Sequence, residues 1–332
     1  MSENQLRREA VLAAESVLAD LNLPDGAKVP VFDMIEDRGI WLSFQPLDRL
    51  LGLYQRVGDT AGIAINLARP LAMQRFTAAH ELGHHELGHE SHTDDEATIE
   101  NYSADPQELQ AQTFAASLLM SESAVEAQLE RLAKDVDRPD LNALDIYQIS
   151  VELGVSYTAA ITQLGVLKKI NRQRSDEATK LTPLRLKQQI LGGRRPDNAR
   201  AAVWRLGLED NHRAVFADLG DELDIALPEI RSTGYEWSLT SLDADTFAIV
   251  NDRFEERSDS LANIRYGTTR TRHVTLKART SGPHAITFEL LQPWAGGDRG
   301  STLNIFVEVA SPVVSDVGQG ISVNQQPQLL AA

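Results

Sequence analysis

The 332-residue chain contains no cysteine. That absence excludes disulfides, thiolate metal ligands and a cysteine nucleophile together, so a bound metal must rest on His, Asp or Glu. Also missing is any run approaching the roughly 20 apolar residues that crossing a bilayer requires. Met1 to Asp20 lacks the apolar core of a signal peptide. Its Leu6, Ala10, Ala13, Val17 and Leu18 instead fall on one side of a polar helical pattern. The expected compartment is therefore the cytoplasm, with no membrane partner. Positive charge is scarce overall: a formal charge of −16 argues against nucleic acid or an anionic membrane as partner, because phosphate attraction dominates such affinities. One stretch runs the other way. Lys168, Lys169, Arg172, Arg174, Lys180, Arg185, Lys187, Arg194, Arg195 and Arg200 face only Asp176, Glu177 and Asp197. It reads as a solvated linker and helix surface.

What is present is ordinary for a folded protein, at 42% hydrophobic and 24% charged, in a chain long enough for two domains. Up to about residue 72 a helix mixes with short extended pieces, of which Gly62-Ile63-Ala64-Ile65-Asn66 is the best strand candidate. From Leu71 to about Asn171 apolar residues recur at helical spacing, as in Phe114, Ala115, Leu118 and Leu119, and again in Ile146, Ile149 and Leu153. Past Leu208 the pattern changes to short alternating runs: 213–219, 222–227, 246–251, 273–279, 284–291 and 303–310. Turn-forming pieces such as Ser232-Thr233-Gly234 and Ala295-Gly296-Gly297-Asp298 separate several of them. The expected class is α+β, a mainly helical domain with a small sheet followed by an all-β immunoglobulin-like sandwich. The expected boundaries are 1–171, a basic linker and helix at 172–209, the sandwich at 210–312, and a loose tail at 313–332.

The chemistry concentrates in Arg75-Phe76-Thr77-Ala78-Ala79-His80-Glu81-Leu82-Gly83-His84, an H-E-x-x-H pattern in a helical context. Residues four apart on a helix differ by about 40° around its axis, so His80 and His84 converge on one ion with Glu81 beside it. Two imidazoles and a carboxylate would leave room for a water whose pKa zinc lowers, and Glu81 would take its proton. A second H-E-x-x-H, His85-Glu86-Leu87-Gly88-His89, follows five residues later, rotated by about 140° on a continuous helix, so both sets cannot face one ion. The first set has the apolar flank of Phe76, Ala79 and Leu82. The second runs into Glu90, Ser91, His92, Asp94 and Asp95 and reads as exposed helix-end histidines. A third ligand must come from elsewhere. Glu108, opening the pattern Glu108–Met120, is the leading candidate, with Glu96, Glu100 and Asp105 as rivals. Tyr54, Tyr102 and His92 are candidates for stabilising an oxyanion. A His/His/Glu set takes Zn2+ and also accepts Mn2+.

At these residues, from roughly Val29 to Asn171, the chain resembles the ImmA/IrrE family of metallopeptidases. The resemblance implies a zincin-type peptidase domain with His80, His84 and Glu108 as zinc ligands and Glu81 as general base. Ser121 stands where the family usually has Pro after Leu-Leu-Met. It further implies a cytoplasmic endopeptidase that acts in a stress response on a protein substrate such as a helix-turn-helix repressor. Leu144 to Asn171, with Gly154-Val155-Ser156 as a turn, itself looks like a helix-turn-helix.

Roughly Arg213 to Ala310 is similar to the chagasin-like inhibitors of cysteine peptidases. The similarity rests on Leu227-Pro228-Glu229, on Ser232-Thr233-Gly234-Tyr235-Glu236-Trp237, and on Gln292-Pro293-Trp294 after a strand. Ile230-Arg231 and Gln292 depart from that family's usual residues. The likeness implies an immunoglobulin-like sandwich with partner-binding loops at Thr233 and Gly234, near Tyr266-Gly267, and at Pro293 and Trp294. Trp237 is weighted towards core packing and Trp294 evenly between core and contact. The expected function is a zinc endopeptidase whose sandwich recognises a partner, another peptidase included, or restrains the cleft. The alternatives are a regulatory DNA- or protein-binding protein with a sensor-like peptidase fold, and a cysteine-peptidase inhibitor.

Overall fold

The computed structural model describes residues 2–21, 23–24, 26–89, 92–95, 105–230, 233–242, 245–255, 270–292 and 299–310. They divide into two compact units, one within Met1–Leu181 and the other Thr182–Pro312. No helix among them is long and apolar enough to cross a membrane.

The first unit opens with α1 (Glu3–Ala19), whose N-terminus is closed by a capping box between Ser2 and Gln5. Its Leu6, Ala10, Ala14 and Val17 recur every three to four residues and are buried. After α2 (Val31–Asp37) come β1 (Trp41–Gln45), β2 (Leu50–Val57) and β3 (Thr60–Asn66). With β4 (His92–Asp95) they make a four-stranded sheet in the order β1-β3-β2-β4, in which β1 runs parallel to β3 and the other pairs are antiparallel. Across this sheet lies α3 (Leu71–Glu86), and α4 (Pro106–Leu119) packs against both α3 and α1. Helix α4 starts where the sequence has Asp105-Pro106: the Asp105 carboxylate accepts from the Gln107 N–H, and Pro106 takes the position where a missing N–H costs nothing. Ile63, Ile65, Ala78, Ala79, Leu82, Phe114 and Leu118 fill the space between sheet and helices, all essentially inaccessible.

Four further helices complete this unit: α5 (Glu122–Arg131), α6 (Ala143–Leu153), α7 (Tyr157–Val166) and α8 (Arg172–Thr179). Ser121 accepts from the Ala124 N–H and so caps α5, a helix-start role. Gly154, at φ 65°, ends α6 in the left-handed conformation that glycine adopts without strain and turns the chain into α7.

The second unit begins with α9 (Pro183–Ile190) and then becomes all β. One sheet orders β5 (Val203–Leu206), β7 (Glu222–Glu229), β10 (Arg270–Ala278) and β9 (Phe247–Phe254) as β5-β7-β10-β9. The other orders β6 (Arg213–Asp218), β12 (Arg299–Ala310), β11 (Gly282–Leu291) and β8 (Glu236–Ser241) as β6-β12-β11-β8. Buried apolar residues alternate along the strands, Leu223, Ile225 and Leu227 in β7 and Leu303, Ile305, Val307 and Val309 in β12. This is the two-layer β-sandwich anticipated from the period-2 runs, and the chain as a whole is α+β. Strand β5 lies in the stretch expected as linker and helix, and β8 lies where the sequence pattern assigned no strand.

The basic stretch differs from a simple solvated surface. It holds α8, α9 and β5, and the division between the units falls between its two helices. Lys169 and Lys187 are buried: Lys169 reaches the Glu126 carboxylate at 2.8 Å, and Lys187 donates to the carbonyls of Ala199 and Ala201. A cluster of buried acids sits in the sandwich. Asp221 accepts from the backbone N–H groups of Ala202 and Asp218 and from the Trp204 indole, at 2.7, 3.0 and 3.0 Å, while burial pushes its carboxyl upwards.

Candidate metal centre

His80 and His84 lie one turn apart on α3, and both rings are buried. Helix α4 delivers Glu108 in its first turn, also buried, two residues past Pro106. Gly83 permits the close crossing: a methyl group there would lie 3.0 Å from the Phe114 ring of α4. The two Nε2 atoms are 3.1 Å apart, His80 Nε2 is 3.3 Å from Glu108 Oε2, and His84 Nε2 is 3.2 Å from Glu108 Oε1. Among the described residues these form the group of His and carboxylate side chains able to hold a metal ion.

The fit to a metal can be tested on that triangle. Zinc bonds to imidazole N and carboxylate O are about 2.0–2.2 Å, and the edge of a regular tetrahedron is about 1.6 times its centre-to-corner distance, giving donor separations of about 3.3–3.5 Å. Sides of 3.1–3.3 Å come within a few tenths of that. Two imidazoles and one carboxylate are also the donor set of open zinc sites with a fourth corner to spare. The residues fit such an ion. Burial alone would push the Glu108 carboxyl up, but the hydrogen bonds and charge interactions with His80 and His84 outweigh it and hold the group well below the usual carboxylate range.

Glu81 follows His80 directly and is fully buried. Strand β2 passes over it so closely that a Cβ on Gly52 would stand 2.5 Å from Glu81 Oε1 and 2.4 Å from Thr77 Cγ2. The sheet therefore forms a lid over this carboxylate, and only a residue without a side chain fits at that point of β2.

The second H-E-x-x-H does not end in exposed histidines. Helix α3 stops at Leu87, and Gly88, at φ 69°, takes the left-handed conformation. The Gly88 N–H then bonds the His85 carbonyl and the His89 N–H the His84 carbonyl, at 3.1 and 2.9 Å, which is the Schellman pattern of helix ends. The chain thus turns back, and His89 Nδ1 comes to 3.0 Å from His84 Nδ1. The rotation expected for a continuous helix does not apply to His89, because the helix has ended, but neither His85 nor His89 is among the three donors. His85 is half-buried and bonds the Tyr54 hydroxyl at 3.1 Å. Burial lowers the pKa of both His85 and His89 and raises that of Tyr54. The sequence signal for this turn was present in Gly88, five residues of chain after Gly83 and one before His89.

The remaining candidates are placed as follows. Asp105 is the exposed cap of α4 and is not one of the three donors. Glu96, Glu100 and Tyr102 lie outside the described residues, and only the backbone of His92 is described, paired with Tyr54. In the sandwich, Thr233 is exposed and donates to the Ile230 carbonyl, and Gly234 follows at φ 77°. Pro293, Trp294 and the Tyr266-Gly267 loop lie outside the described residues. Trp237 is core: it is 3% exposed and its indole donates to the Pro228 carbonyl.

Two family models match parts of the chain. Residues 35–164 match the family model of the IrrE N-terminal-like domain, and residues 217–309 match that of the chagasin family peptidase inhibitor I42. No curated protein matches the chain. Among solved structures, the cysteine protease inhibitor EhICP2 from Entamoeba histolytica aligns at 23% identity and a TM-score of 0.30, over 33% of this chain and 97% of that one. Amebosin aligns at 20% and 0.25, over 33% and 98%. PbICP-C, in its complex with falcipain-2, aligns at 17% and 0.23, over 33% and 92%.

Proposed function

We propose that the chain is a zinc-dependent endopeptidase that cleaves a cytoplasmic protein, with the sandwich recognising a partner or regulating access to the cleft. The observation that carries this reading is the buried triangle of His80, His84 and Glu108 with Glu81 beside it on the same helix. The family match over residues 35–164 supports it. His80, His84 and Glu108 would hold the ion, which when bound polarises a scissile carbonyl and makes water a stronger acid. Glu81 accepts the proton of the attacking water and passes it to the leaving amine, in surroundings that keep its carboxylate from bulk solvent. A helix-turn-helix repressor is the substrate class implied by the sequence resemblance. Mn2+ is a second metal this donor set accepts.

The test is metal content of the purified protein beside two variants. Wild type and Glu81→Gln should each hold about one zinc, His80→Ala should lose it, and Glu81→Gln should trap substrate uncleaved. Zinc retained by His80→Ala would place the metal elsewhere and sink the reading.

The match over residues 217–309 favours a second activity, inhibition of papain-like cysteine peptidases by the sandwich. The full chain added to such an enzyme should slow it. Absence of inhibition at micromolar concentration would remove this activity and leave the sandwich with a recruiting role.

A further inference from the structure

The metal centre uses two of the histidines near the end of α3, yet His89 is aimed at one of them. From His84 Nδ1 a line of bonds runs to His89 Nδ1 at 3.0 Å, from His89 Nε2 to Gln110 Oε1 at 3.3 Å, and from Gln110 Nε2 to Glu9 Oε2 at 2.9 Å. Gln110 is buried on α4, and Glu9 is an exposed residue of α1. Each link fixes the direction of the next. An ionised carboxylate only accepts, so the Gln110 amide must turn its NH2 to Glu9 and its oxygen to His89. That oxygen only accepts, so the His89 proton sits on Nε2 and its Nδ1 is an acceptor. His84 must then carry a proton on Nδ1, so that in the neutral ring that binds the ion the lone pair is on Nε2, the nitrogen that faces Glu108. Nε2 is the atom 3.1 Å from His80 Nε2 and 3.2 Å from Glu108 Oε1. An isolated neutral imidazole favours the opposite tautomer, with the proton on Nε2.

We propose that His89, Gln110 and Glu9 are positioning residues for the metal centre: a polarised chain, anchored at a surface carboxylate, that sets the tautomer of His84 and aims its Nε2 lone pair at the ion. Outer partners of this kind orient ligand histidines and raise their basicity. The proposal rests on the metal reading above and extends it to α1, outside the region that matches the peptidase family model.

The experiment uses the full chain. Zinc affinity is measured by competition with a chromogenic chelator for wild type, His80→Ala, His89→Ala, Glu9→Gln and Glu9→Asp, and the His84 tautomer is read in metal-free protein from its ring 15N shifts. His89→Ala should bind zinc about 10–100-fold more weakly. Glu9→Gln, whose amide can face either way, should lose less, and Glu9→Asp, which keeps an acceptor, should restore wild-type affinity. Metal-free wild type should show His84 protonated on Nδ1. His89→Ala with wild-type affinity, or His84 without a proton on Nδ1, overturns the proposal. If His89→Ala does not fold, the pair at exposed Glu9 decides: equal affinity in Glu9→Gln and Glu9→Asp overturns it. Wild type binding zinc no better than His80→Ala overturns the metal reading itself, a result distinct from tight binding that ignores His89 and Glu9.

Discussion

Gly52→Ala is the sharpest test of how the sheet and helix α3 share space. The added methyl would lie 2.4 Å from Thr77 Cγ2 and 2.5 Å from Glu81 Oε1, against an ordinary carbon contact of about 3.5–4.0 Å. Relief is limited. Thr77 is β-branched and 1% exposed, so its side chain has few other rotamers, and Glu81 is fully buried. The strand is tied on both sides, to β3 and to β4. Overpacking of this depth costs about 1–3 kcal/mol, and the Glu81 carboxylate must move by roughly 1 Å, a displacement that costs about 100-fold in rate when it falls on a reacting group. The ligand triangle is untouched. The expected result is therefore a lower midpoint in urea, zinc content equal to wild type, and cleavage of a protein substrate reduced by about two orders of magnitude. Adding Thr77→Ala should recover stability while cleavage stays low, because the clash with Glu81 persists. Gly52→Ala with wild-type stability and wild-type cleavage would refute the close packing of β2 on this carboxylate.

Two further predictions concern charge. Burial, with Glu36 and Asp37 nearby, pushes the Asp33 carboxyl up to about 6, so the folded protein binds its proton more tightly than the unfolded chain does; stability from this group is present at acid pH and is lost as pH rises from about 4 to about 6. Asp33→Asn should raise the melting temperature at pH 7 but not at pH 4, and an equal effect at both would contradict the assignment. In the sandwich, Asp221→Ala strands three N–H donors, the buried Trp204 indole and the part-buried backbone groups of Ala202 and Asp218, and should cost about 2–5 kcal/mol in chemical denaturation with zinc content unchanged. An undiminished midpoint would mean that those donors find other partners.

The parts of the architecture that follow periodic patterns were legible in the sequence. Apolar spacing at Phe114, Ala115, Leu118 and Leu119 gave α4, and alternation from Arg213 onward gave most of the sandwich, because both patterns are imposed by a buried face. Strand β8 follows the turn signal Ser232-Thr233-Gly234 and was not assigned from the sequence, although Trp237 within it read as core. The pairing of His80 with His84 could be seen from helix geometry alone. The arrival of Glu108 could not be separated from Asp105 by spacing, since choosing between neighbours across a helix start requires knowing which of them caps it. His89 was misjudged for a related reason. Its neighbours are polar, which suggests solvent, whereas the backbone reversal at Gly88 folds the ring inward. Gly52 gave no sequence signal, because the constraint comes from a helix about 25 residues away.

The histidine at Nδ1 of His84 is supplied by the turn that stops α3 and not by the helix itself. Helix length thereby becomes a chemical variable. Lengthening α3 by one residue before Gly88 would swing the following side chain by about 100° and carry it about 1.5 Å along the axis, taking His89 away from His84 while leaving every ligand in place. On the proposed reading of the site, a substitution that merely delays the stop would weaken zinc binding with every donor atom unchanged.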